Sequence, residues 1–140
     1  EVIKETNSFE TMGIWDHIEK LKHSKSKLPN GASMIIEPTS AFVAVDVNTG
    51  NDFSLSAGLK ANLAVAKELP NQLSLRGLGG QIIIDFAPSP KKDRKLIETA
   101  LNSSFRKGKI DTVVVGWTTL GNFELQRKRE RIPLSELLQD

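Results

Sequence analysis

Three consecutive isoleucines, Ile82-Ile83-Ile84, constrain the fold of this chain more than any other feature of its sequence. A strand with one solvated face alternates apolar and polar residues, whereas an unbroken apolar run is typical of a strand that is covered on both faces. Helical patterns precede and follow this run, and further β-rich segments lie on either side. The sequence therefore predicts an α/β fold, with a mixed β-sheet layered with helices.

Three helices are predicted from apolar spacing and from capping residues. Residues 10–22 form the first, and residues 54–75 form the second, in which Pro70 is expected to kink or split the helix because an interior proline costs about 3 kcal/mol. Ser89 is the expected N-cap of the third helix, which runs from Pro90 to about Lys107. The expected buried side of the second helix carries Leu59, Leu63, Ala66 and Leu73.

Five strands are predicted from β-branched and aromatic content. Segments 33–37 and 41–47 are separated by Pro38-Thr39-Ser40 and are expected to form a hairpin. The isoleucine run lies in a strand over residues 81–86, and two more strands cover residues 112–117 and 123–126.

Composition excludes several classes of protein. The chain has 140 residues, 39% of them hydrophobic and 26% charged, which predicts one globular domain rather than a disordered segment. It contains no cysteine, so disulfides, cysteine-bound zinc and a thiol nucleophile are excluded within it. No apolar stretch is long enough to span a bilayer and no secretory leader is visible, so the predicted location is cytoplasmic. The first residue is Glu1 rather than Met, which predicts that sequence has been removed upstream.

Two aspartates at the ends of apolar strands are the candidates for chemistry. Asp46 and Asn48 lie on the same side of one strand, because side chains alternate between the faces, and Asp85 ends the isoleucine strand. If these strands are neighbours, two carboxylates and an amide oxygen converge, and these are hard ligands suited to magnesium or manganese. Each aspartate taken singly is also compatible with a role in capping a turn. A calcium-binding loop is excluded because Ala57 occupies the position that requires a glutamate.

Basic residues are clustered in the second half of the chain, although the net charge is only +2. One cluster, which consists of Lys91, Lys92, Arg94 and Lys95, follows Asp85 at the predicted start of a helix. Cations are unfavourable at the positive end of a helix unless an anion binds there, so this cluster indicates either a phosphate site or a solvated face. Another cluster consists of Arg127, Lys128, Arg129 and Arg131.

A set of short segments along nearly the whole chain forms a recognisable pattern. In order they are Gly13-Ile14, Ile18-Glu19-Lys20, Lys27-Leu28-Pro29-Asn30-Gly31, Ile36, Thr39, Ala41, Ala44-Val45-Asp46-Val47-Asn48-Thr49-Gly50, Asn62-Leu63, Ala66, Gln72-Leu73, Leu75-Arg76, Leu78-Gly79-Gly80, Ile82-Ile83-Ile84-Asp85-Phe86, Leu120-Gly121, Glu124 and Arg127-Lys128-Arg129. Together they resemble the catalytic region of the ribonuclease E/G family. The resemblance identifies residues 1–140 as a single catalytic subdomain fragment of deoxyribonuclease-I-like fold.

The resemblance implies an endoribonuclease that cleaves single-stranded RNA to 5′-phosphate and 3′-hydroxyl ends. It implies that Asp46 and Asp85 bind magnesium, with manganese as an alternative ion, and that Asn48 is catalytic. The RNA-binding residues expected beside this centre are Lys91, Lys92, Arg94, Lys95, Arg127, Lys128 and Arg129. They would steer the RNA backbone by charge.

Departures from the family pattern leave other functions open. Ala87-Pro88 stands where family members often carry a further acidic residue, and the segment before the long helix is reduced to Asp52-Phe53-Ser54. The S1-type RNA-binding and 5′-end-sensing regions are expected upstream of this chain. A zinc link is excluded within it, although the full-length protein is expected to form a homo-oligomer. The alternatives are a catalytically silent RNA-binding or assembly module and a hydrolase of small phosphorylated molecules.

Overall fold

The β-branched segments form a mixed β-sheet in the computed structural model, which describes residues 24–108 and 110–129. In this part of the chain the sheet has six strands in the order β1-β2-β3-β4-β6-β5. The strands are β1 (Lys25–Lys27), β2 (Ser33–Pro38), β3 (Val43–Asn48), β4 (Gly80–Asp85), β5 (Thr112–Trp117) and β6 (Phe123–Arg127). The predicted α/β architecture with a mixed sheet is confirmed, and the helix predicted over residues 10–22 lies outside the described residues.

Two long helices cover one face of this sheet. They are α1 (Leu55–Arg76) and α2 (Arg94–Arg106). The predicted hairpin is confirmed, because β2 and β3 pair antiparallel. The connection from β3 through α1 to β4 leaves β3 and β4 parallel, so both strands end at the same edge of the sheet. None of the helices in the described ranges is long and apolar enough to cross a membrane.

Pro70 was predicted to kink or split this helix; α1 is one continuous helix, so the split was wrong. Its ends follow ordinary capping chemistry: the Ser54 hydroxyl accepts a hydrogen bond from the Ala57 N–H, and Gly77 ends the helix at φ 65°. Leu69 and Leu73 are fully buried on either side of Pro70 along the chain. Packing of this side against the sheet outweighs the lost backbone hydrogen bond, because most helix stability in proteins comes from tertiary packing.

The buried side of α1 also differs from the predicted one. Leu59 and Leu63 are only partly buried, whereas small and medium residues one position away face the core. The buried residues are Gly58, Ala61, Asn62, Val65, Ala66, Leu69 and Leu73. Of the four positions predicted from leucine spacing, only Ala66 and Leu73 are fully buried, and the buried side is centred on smaller residues than that spacing indicated.

Replacing Pro70 by alanine is expected to raise the free energy of unfolding by about 2 kcal/mol. Alanine is favoured over proline by about 3 kcal/mol inside a helix, and proline returns about 0.4–1 kcal/mol by restricting the unfolded chain. Urea denaturation of the chain measures this difference. Lys67→Ala, an exposed change in the same helix, is the control and is expected to stay within about 0.5 kcal/mol. A lower stability of Pro70→Ala would contradict the prediction.

The segment that leads into α2 differs from its predicted form. A 3₁₀ turn over Lys91–Asp93 comes first, and Asp93 occupies the N-cap position of α2 without a side-chain cap. Ser89, the predicted N-cap, lies near the side-chain nitrogen of Asn62, with 3.3 Å between Nδ2 and the hydroxyl oxygen. The prediction that Ser89 caps the helix was therefore wrong, because α1 draws this hydroxyl into a tertiary hydrogen bond.

Candidate functional site

The two candidate carboxylates lie side by side at one edge of the sheet. Asp46 on β3 and Asp85 on β4 are direct partners in the parallel register. Paired residues of neighbouring strands project from the same face, and the strands are about 4.8 Å apart. Both aspartates are exposed, whereas Val45 and Ile84, the residues that precede them, are buried on the helix side. The predicted placement on adjacent strands is confirmed.

The electrostatics of this pair favour a cation. Partial burial and the neighbouring Asp85 carboxylate raise the pKa of Asp46 above its ordinary value, so the charged form of this group is destabilised. The donor set suits magnesium, which binds through one or two carboxylates and completes its octahedron with water and substrate phosphate. Within residues 24–108 and 110–129, no group of three or more acidic or histidine side chains could hold a metal. Asp46 and Asp85 therefore fit an open magnesium site rather than an all-protein cage.

Asn48 has a defined orientation beside these carboxylates. Its side-chain oxygen accepts a hydrogen bond from the Gly50 N–H at 2.8 Å, so the turn-capping role considered for this segment is present at Asn48. Gly50 has φ 78°, and a Cβ there would lie 2.8 Å from the Gly31 carbonyl oxygen, so a side chain is excluded. Because the oxygen is held by the turn, the amide NH₂ group is the part of Asn48 that can donate to a ligand.

Asn62 holds the loop that follows Asp85, a role that was not predicted for it from the sequence. Its side chain is fully buried and makes two hydrogen bonds to the backbone of Ala87, one to the N–H at 2.9 Å and one to the carbonyl at 2.8 Å. The available sequence signal was a polar residue among the small residues Ala61, Val65 and Ala66, which repeat at helical spacing.

The first basic cluster lies at the same edge of the sheet as the carboxylates. Lys91, Lys92 and Lys95 are exposed. Arg94 is half-buried, and its guanidinium carbon lies 4.6 Å from the ring centroid of Trp117, at the end of β5. Such stacking restricts a guanidinium and leaves its N–H edge available for an anion. Trp117 in turn packs against Phe86 and Phe123, so an aromatic cluster supports Arg94.

The second cluster is not part of this arrangement. Arg127 is only 5% exposed, and its guanidinium donates to the Ser74 hydroxyl at 2.7 Å, so the structure gives it a structural position instead of a phosphate contact. Lys128 and Arg129 are exposed, and they follow Arg127, which pairs with Gly80 at the start of β4. Asp85 lies at the other end of β4, so about five residues of strand, or roughly 16 Å, separate it from this cluster. The structure therefore separates them from the carboxylates.

Two lysines outside the predicted set share the open face of the sheet with the carboxylates. Lys25 pairs with Ile35, which pairs with Asp46. In the same way, Lys27 pairs on β2 with the residue that pairs with Asn48. Both lysines are exposed. In the sequence the two lysines flank Ser26, which is buried in the structure, and this alternation was the available signal of a strand. Three residues are too few for such a periodicity to predict a strand.

Comparisons with known proteins identify relatives of this chain. The model of the ribonuclease E/G family matches residues 1–130. Ribonuclease G of Escherichia coli (strain K12) is 32% identical over 139 residues; the match covers 93% of this chain and 28% of that protein. Ribonuclease E of Synechocystis sp. is 40% identical over 116 residues; the match covers 79% of this chain and 17% of that protein. The chain thus spans less than a third of the length of these relatives.

Proposed function

Because the chain belongs to the ribonuclease E/G family, we propose that it supplies the metal-dependent catalytic centre of an endoribonuclease that acts on single-stranded RNA. The observation that carries this proposal is the direct pairing of Asp46 with Asp85 on parallel strands, exposed at one edge beside Asn48. A domain that served only as a scaffold would have no need for two unneutralised carboxylates in adjacent positions, because their repulsion is unfavourable.

Asp46 and Asp85 hold a magnesium ion in this proposal, and manganese is the alternative. The chemistry supplied by the bound ion is Lewis-acid polarisation of a phosphate oxygen and a lowered pKa of water. Asn48 donates its amide NH₂ to a phosphate oxygen, because its carbonyl is held by the Gly50 N–H. Water adds its oxygen to phosphorus and the bond to the 3′ oxygen breaks, with a proton passing to the leaving 3′ oxygen. The products carry 5′-phosphate and 3′-hydroxyl ends.

The basic segment after Asp85 binds the RNA backbone. Lys91, Lys92 and Lys95 are solvated cations at the positive end of α2, where helix N–H groups also favour phosphate. Arg94 is restricted by its contact with Trp117 and presents a planar fork for bidentate phosphate contact. The deoxyribonuclease-I-like fold, the cytoplasmic location and the self-association of the full-length protein stay predictions.

Cleavage by the intact protein is expected to require a divalent cation. EDTA should abolish cleavage of a single-stranded RNA, and magnesium or manganese should restore it. Product ends are checked by phosphate-dependent ligation of the 5′ end and by enzymatic extension of the 3′ end. Cleavage in EDTA, or products with cyclic 2′,3′-phosphate, would contradict the proposed chemistry. Tight RNA binding without cleavage in any metal would instead support a catalytically silent RNA-binding module.

A further inference from the structure

We infer that Asn62 is a positioning residue for the metal site, which it serves by fixing the loop that joins Asp85 to the basic segment. This inference rests on the proposed function, because it concerns how the carboxylates of that site are held. Asn62 lies on α1 and is 25 residues from Ala87 in the sequence. It therefore ties together two parts of the chain that no local pattern would connect.

The first observation is the set of hydrogen bonds that the Asn62 side chain makes. Its oxygen accepts from the Ala87 N–H at 2.9 Å, and its nitrogen donates to the Ala87 carbonyl at 2.8 Å. The same nitrogen lies 3.3 Å from the Ser89 hydroxyl. Asn62 is fully buried and Ala87 is only 7% exposed, so these bonds are shielded from competing water. One amide thus fixes the backbone two residues beyond Asp85.

The second observation is the close approach of α1 to the same loop at Gly58. A Cβ at this position would lie 1.8 Å from the Pro88 carbonyl oxygen, so only glycine fits without moving the loop. Gly58 lies one helical turn before Asn62. The loop is therefore in contact with α1 at Pro88 and bound to it at Ala87, and it can move neither towards the helix nor away from it.

The contacts of Asn62 and Gly58 with this loop together form a clamp. The position of the loop gives this clamp a functional consequence. Asp85 ends β4 immediately before it, and the turn Lys91–Asp93 begins shortly after it. The loop therefore determines where the carboxylate stands relative to the cations that would bind the flanking phosphate. An apolar residue at position 62 would fill the same buried face without the cost of burying an amide. The two bonds to Ala87 show that the amide is used to hold the loop rather than to stabilise the helix.

Removing this clamp is expected to weaken metal binding in the intact protein. Groups that orient metal ligands typically change metal affinity about 10–100-fold when they are removed. Asn62→Ala is accordingly expected to raise the Mn²⁺ dissociation constant, measured by calorimetry without RNA, by about tenfold or more. The magnesium concentration for half-maximal RNA cleavage should rise in parallel. Gly58→Ala tests the same loop without changing Asn62, because the added methyl group displaces Pro88.

Leu73→Ala is the matched control. Leu73 is fully buried on the same helix but lies at its far end, away from the loop, so its truncation lowers stability without touching Ala87 or Pro88. It is expected to leave the Mn²⁺ dissociation constant within twofold. Folded Asn62→Ala with unchanged Mn²⁺ affinity would overturn the inference, and so would an equal shift in Leu73→Ala. If Asn62→Ala fails to fold, Gly58→Ala decides by the same criterion.

The proposed function can fail separately from this inference. Absence of Mn²⁺ binding by the wild-type protein, or normal cleavage by Asp85→Asn, would reject the metal site itself. Loss of cleavage in Asp85→Asn together with unchanged metal affinity in both clamp variants would reject only the role of Asn62.

Discussion

Asp46→Asn and Asp85→Asn are each expected to reduce RNA cleavage by the intact protein at least about a thousandfold. Metal-assisted stabilisation of charge in the transition state is worth several kcal/mol, and each 1.36 kcal/mol corresponds to a factor of ten in rate. Either substitution removes one of the two carboxylates that are paired across β3 and β4. Single-turnover cleavage of a single-stranded RNA in excess magnesium measures the effect.

Glu37→Gln provides the control for this prediction. Glu37 is an exposed acid on the neighbouring strand β2 and pairs with Ala44 rather than with either aspartate. Its substitution removes one negative charge from the same region and is expected to leave cleavage within a few-fold of wild type. Near-normal cleavage by either aspartate variant would show that the metal ligands are assigned wrongly.

The stability of Asp46→Asn should move in the opposite direction to its activity. The pKa of Asp46 is raised above its ordinary value of 3.8 in the folded state, by burial and by Asp85. This carboxyl group therefore contributes stability below pH 3.8 and loses that contribution as the pH rises through its folded-state pKa. Without metal at pH 7, the variant should equal or exceed wild-type stability by less than about 1 kcal/mol, since the group is largely solvated. Thermal unfolding at pH 7 and pH 3.5 measures this difference, which should vanish at the lower pH.

Replacing Lys91, Lys92 and Lys95 together with glutamine is expected to weaken RNA binding in a salt-dependent manner. Each phosphate contact with a single strand contributes about 0.7 to the slope of log affinity against log salt, so three contacts amount to about 2. Binding of a single-stranded RNA is measured across a salt series, with calcium in place of magnesium to suppress cleavage. Folding should not be impaired, because the change removes positive charge from the positive end of α2.

A double variant, Lys67→Gln with Lys107→Gln, controls for the general loss of charge. Both lysines are exposed. Lys67 lies on α1 and Lys107 at the far end of α2, away from the edge of the sheet that carries Asp46 and Asp85. Their substitution should leave the slope nearly unchanged. Arg94 is kept in the triple variant because its contact with Trp117 gives it a structural role as well. An unchanged slope in the triple variant would mean that the three lysines form only a solvated face.

The sequence by itself determined the α/β architecture and the placement of the two candidate carboxylates at the ends of two strands. The unbroken run Ile82-Ile83-Ile84 predicted a strand, and in the structure it lies in β4, between β3 and β6. The run also predicted cover on both faces, but within the described residues Ile82 and Ile84 are buried whereas Ile83, on the opposite face, is only partly buried. Period-two alternation placed Asp46 and Asn48 on one face of β3, as the register confirms. These features depend on local periodicity and on the cost of burying charge, and both can be read from neighbouring residues.

Only the tertiary structure decided which distant residues meet. Asp46 and Asp85 are partners because α1 returns the chain to a parallel strand, and the bonds from Asn62 to Ala87 depend on the same packing. Arg127 belongs to a basic cluster in the sequence but faces the core. The alternation of side chains along β6 places it on the buried face, beside Ser74. Local propensity predicts that Pro70 interrupts the helix, yet the packing of α1 keeps the helix continuous. Contacts between distant segments stabilise one arrangement of these residues over others, and local propensity carries no information about those contacts.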